Sequence, residues 1–338
     1  MSAQPATTGE EDSAALRILL SAQAQARYGD AVGQALAGRP HLLVQPGPGT
    51  VDADIAFVSR DVTGLSTKHE VQPDTRVFHD CLRAAPSLRW VHIHSAGADR
   101  PVFLELKARG VALTSSSGAN ADVVAQTAVA GLLALARRFP QLMAAQRERR
   151  WAPLIGGALP RDLSGQRATI VGWGPIGQQV GRLLEAFGLQ VSVVRSRAGR
   201  LDTGQPAVAF EQLGELLPAT DWLVLACPLS DRTRRLVDAA ALALLPPDAH
   251  LLNVARGEVV DEPALIEALQ GGRLAGAFLD VFAHEPLPAD SPLWGLPNVI
   301  ATPHSAGFSD GNAARVADMF LDNLRRWAEG RPLLRQVD

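Results

Sequence analysis

The chain has 338 residues, of which 47% are hydrophobic and 20% charged, and its formal net charge is −3. These values fit a folded protein of two ordinary domains and exclude a disordered or fibrous chain. The near-neutral charge gives no reason to expect nucleic acid or a membrane surface as a partner. Cys81 and Cys227 are too few and too far apart for a disulfide framework or a zinc site, so we predict no bound metal.

The N-terminal segment and the longest apolar run indicate the cellular compartment. Residues 1–12 are polar and acidic, and they lack the basic start and apolar middle of a signal peptide. The longest apolar run on a helical pattern, Ala128–Ala136, is too short to cross a bilayer. We therefore predict a cytoplasmic protein.

Short apolar runs alternate with helical stretches along the whole chain. Near-continuous apolar runs separated by helices are typical of parallel sheets covered on both faces. The predicted strands, in order, are Leu16–Leu20, Ala53–Val58, Leu88–Ile93, Val111–Thr114, Ala168–Val171, Leu189–Val194, Trp222–Ala226, His250–Val254, Ala275–Asp280 and Val299–Thr302. Long helices are predicted from Ala121 to about Arg149 and from about Ser309 to Glu329.

A Gly-x-Gly-x-x-Gly turn follows the apolar run that begins at Ala168. Gly172 permits a tight turn, Gly174 lets the backbone approach a pyrophosphate, and Gly177 lets the next helix pack on the strand. The strand before, the helix after and the second strand at Leu189–Val194 supply the context that a dinucleotide site requires. The segment therefore predicts a dinucleotide-binding unit.

A basic turn follows the second strand of that unit. NAD sites usually place Asp or Glu here to bind the ribose 2′-hydroxyl, whereas this chain has Arg195, Ser196 and Arg197, with Arg200 close behind. Guanidinium groups would bind a 2′-phosphate with charge-assisted hydrogen bonds. We predict a preference for NADP(H), with NAD(H) also accepted; a solvated basic surface turn is the alternative.

Three polar residues each follow a strand of the second half of the chain. Arg256 follows Leu251–Ala255, Glu285 follows Leu279–His284, and His304 follows Val299–Pro303. Ligands of open α/β sheets bind beyond the carboxyl ends of the strands. The three residues are therefore a candidate catalytic constellation.

The blocks around these residues resemble the D-isomer-specific 2-hydroxyacid dehydrogenase family, and the basic turn is similar to that of its glyoxylate/hydroxypyruvate reductase branch. The matching blocks are Asn253–Asp261, Leu279–Leu287, Pro297–Gly307, Ser95–Asp99 and the Gly-rich segment. The resemblance implies two doubly wound parallel-sheet α/β domains. A flavodoxin-like substrate domain would be discontinuous, formed by residues 1–118 and 308–338, and a Rossmann cofactor domain would span 119–307. The resemblance also implies that the protein is a homodimer.

The resemblance implies a role for each member of the constellation. His304 would be the general acid and base, because imidazole titrates near neutral pH. Glu285 would orient His304 and stabilise its charged form, and Arg256 would bind the substrate carboxylate and polarise the carbonyl. The alternatives are that His304 is a core histidine, that Glu285 is an exposed loop acid and that Arg256 is a surface cation. His284 is a rival titrating group, at a position where relatives often carry an acid.

Further contacts follow from the same resemblance. Ala96 and Gly97 would bind the substrate carboxylate through backbone N–H groups, together with Arg256 and His304. The predicted cofactor contacts are Gly172, Gly174, Pro175, Ile176, Gly177, Arg195, Ser196, Arg197, Cys227, Pro228, Thr233, Val254, Ala255 and Asp280. For Asp280 the alternative is that its side chain caps a loop. For Cys227 we favour a packed thiol over a reactive one. Trp151 resembles an aromatic that reaches the active site of a neighbouring subunit in some relatives, and a place in the core is the alternative. His94 is expected to be structural.

The function that these features predict is reduction of a small 2-oxoacid, such as glyoxylate or hydroxypyruvate, to the D-2-hydroxyacid by NAD(P)H. A phosphoglycerate dehydrogenase-like enzyme is an alternative, but the basic turn and the lack of an appended regulatory domain argue against it. A cofactor-sensing protein, like the corepressors built on this fold, is an alternative from another class. The sequence does not identify the physiological acid.

Overall fold

The computed structural model describes residues 15–47, 49, 51–157, 159–201 and 206–337. The acidic segment 1–12 and Asp338 lie outside the described residues. The chain divides into two compact units. Unit 1 is made of the described residues within Met1–Ser66, Val71–Ala119 and Ala313–Asp338, and unit 2 of those within Thr67–Glu70 and Asn120–Asn312.

The strands and helices of the described residues are numbered in chain order. The strands are β1 (Leu16–Leu19), β2 (His41–Val44), β3 (Ile55–Val58), β4 (Trp90–Ile93), β5 (Ala112–Ser115), β6 (Arg167–Val171), β7 (Gln190–Arg195), β8 (Gly199–Arg200), β9 (Pro206–Ala209), β10 (Trp222–Leu225), β11 (His250–Asn253), β12 (Gly276–Leu279) and β13 (Val299–Ala301). The helices are α1 (Ala22–Ala35), α2 (Arg60–Thr63), α3 (Pro73–Ala84), α4 (Pro101–Ala108), α5 (Ala121–Ala136), α6 (Phe139–Arg147), α7 (Pro175–Ala186), α8 (Leu213–Leu216), α9 (Ala239–Leu244), α10 (Glu262–Gln270) and α11 (Asn312–Ala328).

Unit 1 is built on a parallel sheet with the strand order β2-β1-β3-β4-β5. This order is that of flavodoxin-like sheets. All four residues of β3 and of β4 are buried, as expected for strands covered on both faces. Helix α11 packs on this unit, where Phe320 stacks on Phe57 with ring centroids 4.5 Å apart.

Unit 2 contains the larger sheet, with the order β13-β12-β11-β10-β6-β7-β9-β8. The strands pair in parallel, except that β8 pairs antiparallel with β9. Counted from β6, the order of the central strands is that of a Rossmann sheet, and it reverses between β6 and β10. Parallel α/β sheets bind ligands beyond this switch point, so the Gly-rich turn after β6 lies at the expected place.

The predicted α/β fold with two parallel sheets is confirmed, but some elements differ from the prediction. The single helix predicted from Ala121 to Arg149 is wrong, since it is broken between α5 and α6 at Arg138, which has a left-handed φ of 55°. Pro140 lacks an N–H and cannot continue α5, so the chain starts a new helix. Strands β2, β8 and β9 have no counterpart among the predicted runs.

None of the described helices combines the length and the apolar character that a membrane-crossing segment needs. Among the same residues, no three His, Cys, Asp or Glu side chains come together in a cluster suited to a metal ion.

Candidate active site

The Gly-rich turn joins β6 to α7 through very close backbone contacts. Gly172 has a φ of +100°, and a Cβ there would lie 2.6 Å from the backbone nitrogen of Cys227. A Cβ on Gly177 would lie 2.0 Å from the carbonyl oxygen of Gly172. At Gly174 a Cβ would meet no described atom within 4 Å, so this side of the turn is open. The first and third glycines therefore fold the turn, and the second leaves room for a ligand.

The start of α7 provides the groups that an anion requires. Gly174 is the N-cap, Pro175 is the first helical residue, and the first turn contains no acidic side chain. The backbone N–H groups at a helix start carry a partial positive charge and bind phosphates. The turn and helix together fit the pyrophosphate of a dinucleotide.

The basic turn after β7 is organised by one of its own arginines. Arg195 Nε donates to the carbonyl oxygen of Arg197 at 3.0 Å, and its Nη2 donates to that of Arg200 at 3.4 Å. Arg195 therefore holds the shape of the turn, while Ser196 and Arg197 are exposed on it. The described residues from Arg195 to Leu201 include no acidic side chain.

The loop after β10 is held by the hydroxyl of Thr233. It donates to the carbonyl oxygen of Pro228 at 2.7 Å and accepts the N–H of Ser230 at 2.8 Å. Thr233 is 1% exposed, so its hydroxyl shapes this loop from inside. Cys227 is buried at the start of the loop, and burial raises the pKa of its thiol to about 12. A buried, protonated thiol of this kind fits the packed state that the sequence favoured for Cys227.

Asn253 and Gly257 position Arg256 at the end of β11. The Asn253 side chain accepts the N–H of Ala255 and donates to the carbonyl oxygen of Arg256, each at 3.0 Å. A Cβ on Gly257 would lie 1.8 Å from the carbonyl carbon of Phe282. Because Gly257 has no side chain, the Arg256 turn packs directly on the backbone that leads to Glu285. Sequence reasoning assigned no role to Asn253 or Gly257.

Glu285 and His304 form a hydrogen-bonded pair. His304 Nδ1 lies 2.8 Å from Glu285 Oε2, and the other carboxylate oxygen accepts the Phe282 N–H at 3.1 Å. The Glu285 side chain is 15% exposed, whereas that of His304 is 49% exposed. Burial alone would raise the pKa of Glu285, but His304, the Phe282 N–H and the charge of Arg256 outweigh it and lower this pKa. Glu285 is therefore ionised at neutral pH beside an accessible imidazole.

Asp280 holds the loop that carries His304. Its carboxylate accepts the Thr302 hydroxyl at 2.7 Å, the Ser305 N–H at 2.8 Å and the Ala306 N–H at 3.1 Å. Its carbonyl oxygen accepts the N–H of His304 at 2.8 Å. Burial raises the pKa of Asp280, and these hydrogen bonds offset part of that effect. This geometry is that of the loop-capping alternative for Asp280.

The backbone of His304 has a left-handed φ of 51°. Such a conformation is uncommon for a side chain with a Cβ, and it costs about 1–3 kcal/mol that the surrounding contacts must supply. The four hydrogen bonds to Asp280 supply such contacts. These hydrogen bonds hold the His304 backbone in place, and the side chain then directs Nδ1 at Glu285. The other ring nitrogen, Nε2, has no hydrogen-bond partner among the described residues. Nε2 is therefore available to a ligand.

Comparison with known proteins now identifies the family. Residues 129–306 match the model of the NAD binding domain of the D-isomer specific 2-hydroxyacid dehydrogenases. A glyoxylate/hydroxypyruvate reductase from Arabidopsis thaliana is 35% identical over 261 residues, which are 77% of this chain and 80% of the relative. The chain belongs to the D-isomer specific 2-hydroxyacid dehydrogenase family. It is thus an NAD(P)-dependent oxidoreductase of the glyoxylate/hydroxypyruvate reductase-like group, as the resemblance implied.

Solved structures of the family share the whole fold. A D-isomer specific 2-hydroxyacid dehydrogenase from Xanthobacter autotrophicus, in complex with NADPH and MES, has 31% identity and a TM-score of 0.75 over 96% of this chain and 98% of its own. An NADPH-dependent glyoxylate/hydroxypyruvate reductase from Sinorhizobium meliloti, in complex with NADP and malonate, has 29% identity and a TM-score of 0.70 over 96% and 97%. These similarities confirm the family and the fold of this dehydrogenase.

The predicted substrate loop belongs to unit 1, whereas Arg256, Glu285 and His304 belong to unit 2. Ala96 is exposed and Gly97 half-buried in the loop after β4, where the Ser95 hydroxyl donates to the Gly97 carbonyl oxygen at 2.8 Å. The role of Ala96 and Gly97 in binding a carboxylate stays a prediction. His94 Nε2 lies 2.8 Å from the Thr63 hydroxyl, and burial lowers its pKa to about 3, so it is neutral and suited to a structural role.

Two residues that the sequence left open have defined surroundings in unit 2. Trp151 is 93% exposed, which excludes the core alternative within this chain. His284 stacks on His69 with ring centroids 4.4 Å apart, and its Nδ1 lies 3.2 Å from the Pro286 carbonyl oxygen. The structure therefore gives His304, and not His284, the Glu285 carboxylate as a partner.

Proposed function

We propose that this dehydrogenase reduces a small 2-oxoacid, such as glyoxylate or hydroxypyruvate, with NADPH to the 2-hydroxyacid, in the D form where the product is chiral. The observation that carries the proposal is the 2.8 Å contact between His304 Nδ1 and Glu285, which leaves Nε2 without a partner among the described residues. A proton donor next to an accessible carbonyl is what the reduction of a ketone needs. The names of the relatives support the choice of substrate class.

His304 would give its Nε2 proton to the carbonyl oxygen as that oxygen gains charge. The ionised carboxylate of Glu285 holds Nδ1–H and so fixes which nitrogen faces the substrate. It also favours the protonated imidazole, because an adjacent negative charge stabilises a positive one. In the reverse direction neutral His304 would accept the hydroxyl proton.

Arg256 would bind the substrate carboxylate and polarise its carbonyl group. A guanidinium presents paired N–H donors that match the two oxygens of a carboxylate. The Asn253 and Gly257 contacts fix the turn that presents Arg256, and its charge reaches Glu285. Arg256 therefore supplies positive charge on the same side of the sheet as the Glu285–His304 pair.

The glycine turn and helix α7 fit the pyrophosphate of the cofactor, with further predicted contacts from Val254 and Ala255. The bound nicotinamide would supply the hydride. The basic turn supports NADPH over NADH, because Ser196 and Arg197 are exposed where an acidic residue would otherwise repel a 2′-phosphate. In this proposal unit 2 is the cofactor domain and unit 1 the substrate domain, with the predicted boundaries near residues 118 and 308.

The experiment compares His304→Gln with His284→Gln. Each variant removes one exposed imidazole, but of the two only His304 hydrogen-bonds the Glu285 carboxylate. We expect His304→Gln to reduce the rate of NADPH oxidation by glyoxylate by about 10²–10⁴-fold, the range of general acid catalysis, and to leave NADPH binding unchanged. His284→Gln should retain most of the rate. Equal losses in both variants, or none in His304→Gln, would refute the role of His304.

A homodimer is also part of the proposal. The segment from α6 onward exposes large apolar side chains that a monomer would leave in water. Their exposed fractions are 51% for Phe139, 82% for Ile155 and 93% for Trp151. Exposed apolar patches of this kind mark protein contacts. Light scattering should give twice the mass of the chain, and Trp151→Ser with Ile155→Ser should shift it toward the monomer; a monomeric wild-type protein would refute the dimer.

A further inference from the structure

Arg232 connects the loop after β10 to the basic turn after β7. Its Nη1 donates to the Ser196 carbonyl oxygen at 3.0 Å, and its Nη2 pairs with Glu211 Oε1 at 2.7 Å. The guanidinium carbon lies 5.3 Å from the centre of the Phe210 ring. Three neighbours thus hold the guanidinium against the turn that was predicted to bind a 2′-phosphate.

The position of Arg232 follows from the strand order. Strands β10 and β7 lie on either side of β6, which ends in the Gly-rich turn. The Arg232–Ser196 contact therefore joins the two loops that flank this turn. In Rossmann units the ribose 2′-substituent is recognised at the end of the second strand, which is β7 here. Arg232 brings a cation to that strand end from a different loop.

Arg232 has donors left for a ligand. A guanidinium carries five N–H groups, and the two hydrogen bonds use two of them. Its side chain is 48% exposed, so a dissolved ligand can reach it. Arg195 also directs two of its nitrogens at carbonyl oxygens, both of its own turn, but it is half-buried and therefore less accessible than Arg232. The direct phosphate contacts then fall to the more accessible cations.

We propose that Arg232 is a cofactor-selectivity residue that donates charge-assisted hydrogen bonds to the 2′-phosphate of NADPH. This inference rests on the proposed NADPH preference and extends it to a second loop. NADH carries a neutral hydroxyl at this place, so it gains much less from the guanidinium. Glu211 opposes the phosphate, because it binds the same cation. The hydrogen bond from Arg232 lowers the pKa of Glu211, which is therefore ionised in the free protein.

The test compares Arg232→Gln with Arg234→Gln by titrating each protein directly with NADPH and with NADH, without substrate. Arg234 is an exposed arginine of the same loop with no side-chain partner among the described residues, so its variant controls for net charge. We expect Arg232→Gln to weaken NADPH binding by about tenfold, the lower end for a hydrogen bond to a charged group, and NADH binding by less than about twofold. Arg234→Gln should change both by less than about twofold.

A second variant removes the opposing charge. Glu211→Gln keeps a hydrogen-bond acceptor for Arg232, and we expect it to tighten NADPH binding by a few-fold and to leave NADH binding unchanged. Equal weakening of NADPH and NADH in Arg232→Gln would overturn the proposal, as would equal effects of Arg232→Gln and Arg234→Gln. A wild-type protein that binds NADH as tightly as NADPH would instead contradict the proposed cofactor preference. The two failures are therefore distinguishable.

Discussion

Two regions at the same edge of the unit 2 sheet are built by opposite means. The loops that carry Glu285 and His304 are fixed by half-buried or buried carboxylates that accept backbone N–H groups. The basic turn is fixed by half-buried Arg195 and exposed Arg232, which donate to backbone carbonyl oxygens. Buried hydrogen bonds are stronger because the local dielectric constant is low, whereas interactions of exposed charges are weakened by salt. Substitutions in the first region should change rate and stability, and those in the second should change cofactor affinity.

Among the residues proposed to be catalytic, Arg256→Gln should give the largest change after loss of His304. It removes the cation proposed to bind the substrate carboxylate, so we expect kcat/KM to fall by about 10³-fold, with a large rise in KM. Arg256→Lys keeps the charge without the paired donors and should recover part of the loss. Steady-state kinetics with glyoxylate checks this. An unchanged KM in Arg256→Gln would remove Arg256 from the substrate site.

Glu285→Gln should reduce kcat by about 10²-fold, because His304 loses the charge that favours its protonated form. NADPH binding, measured by direct titration, should not change. Glu258→Gln is the control, since Glu258 also accepts a hydrogen bond from a cation, Lys68 Nζ at 2.6 Å, and its carboxylate has no hydrogen bond to Glu285 or His304 among the described residues. An equal loss in both variants would mean that Glu285 has no special role.

The pH dependence of stability provides a separate test of Glu285. Its pKa is lower in the folded protein than the ordinary value of 4.5. The ionised carboxylate therefore stabilises the fold fully above that value, and this contribution is lost as the pH falls through the lowered pKa. As the pH falls below 4.5, wild-type protein should lose more unfolding free energy than Glu285→Gln. Parallel losses in denaturant titrations would contradict the lowered pKa.

The sequence predicted which residues form the candidate site better than it predicted the contacts that hold them. Arg256, Glu285 and His304 could be placed because each follows an apolar strand. The packing of Gly257 on Phe282 and the cap that Asp280 places on the His304 loop depend on contacts between loops that no local pattern records. In the basic turn, residue types indicated an anion site, but the direction of Arg195 toward its own turn depends on backbone angles. The break at Arg138 had a local signal in Pro140.

Asp280→Asn separates the loop cap from a cofactor contact. The Asp280 Oδ1 atom accepts from Thr302, Ser305 and Ala306, and Oδ2 also accepts from Ala306; an amide is uncharged and turns one of these oxygens into a donor, so the whole set is weakened. We expect a loss of about 1–3 kcal/mol in the free energy of unfolding and a fall in kcat of about tenfold. Thermal unfolding and kinetics check both, with exposed Asp290→Asn as the control. Unchanged stability with weaker NADPH binding would favour the cofactor contact.

The smallest effect should come from the thiols. Cys227 lies beside the Gly-rich turn, but it is 2% exposed and burial raises its pKa to about 12. Thiolates, not thiols, react with alkylating reagents, so iodoacetamide should leave the activity of the folded protein intact. Mass spectrometry of intact protein would verify that Cys227 is unmodified. Rapid inactivation that NADPH prevents would show a reactive thiol and contradict the packed state.

The most direct test of the account is the initial rate of NADPH and NADH oxidation with glyoxylate and with hydroxypyruvate, measured side by side. We expect rapid oxidation of NADPH by at least one of these acids and a much lower kcat/KM with NADH. Equal or higher rates with NADH would refute the cofactor preference and leave the Glu285–His304 pair in place. No oxidation of either cofactor would contradict the proposed activity and favour a bulkier oxoacid or the cofactor-sensing alternative.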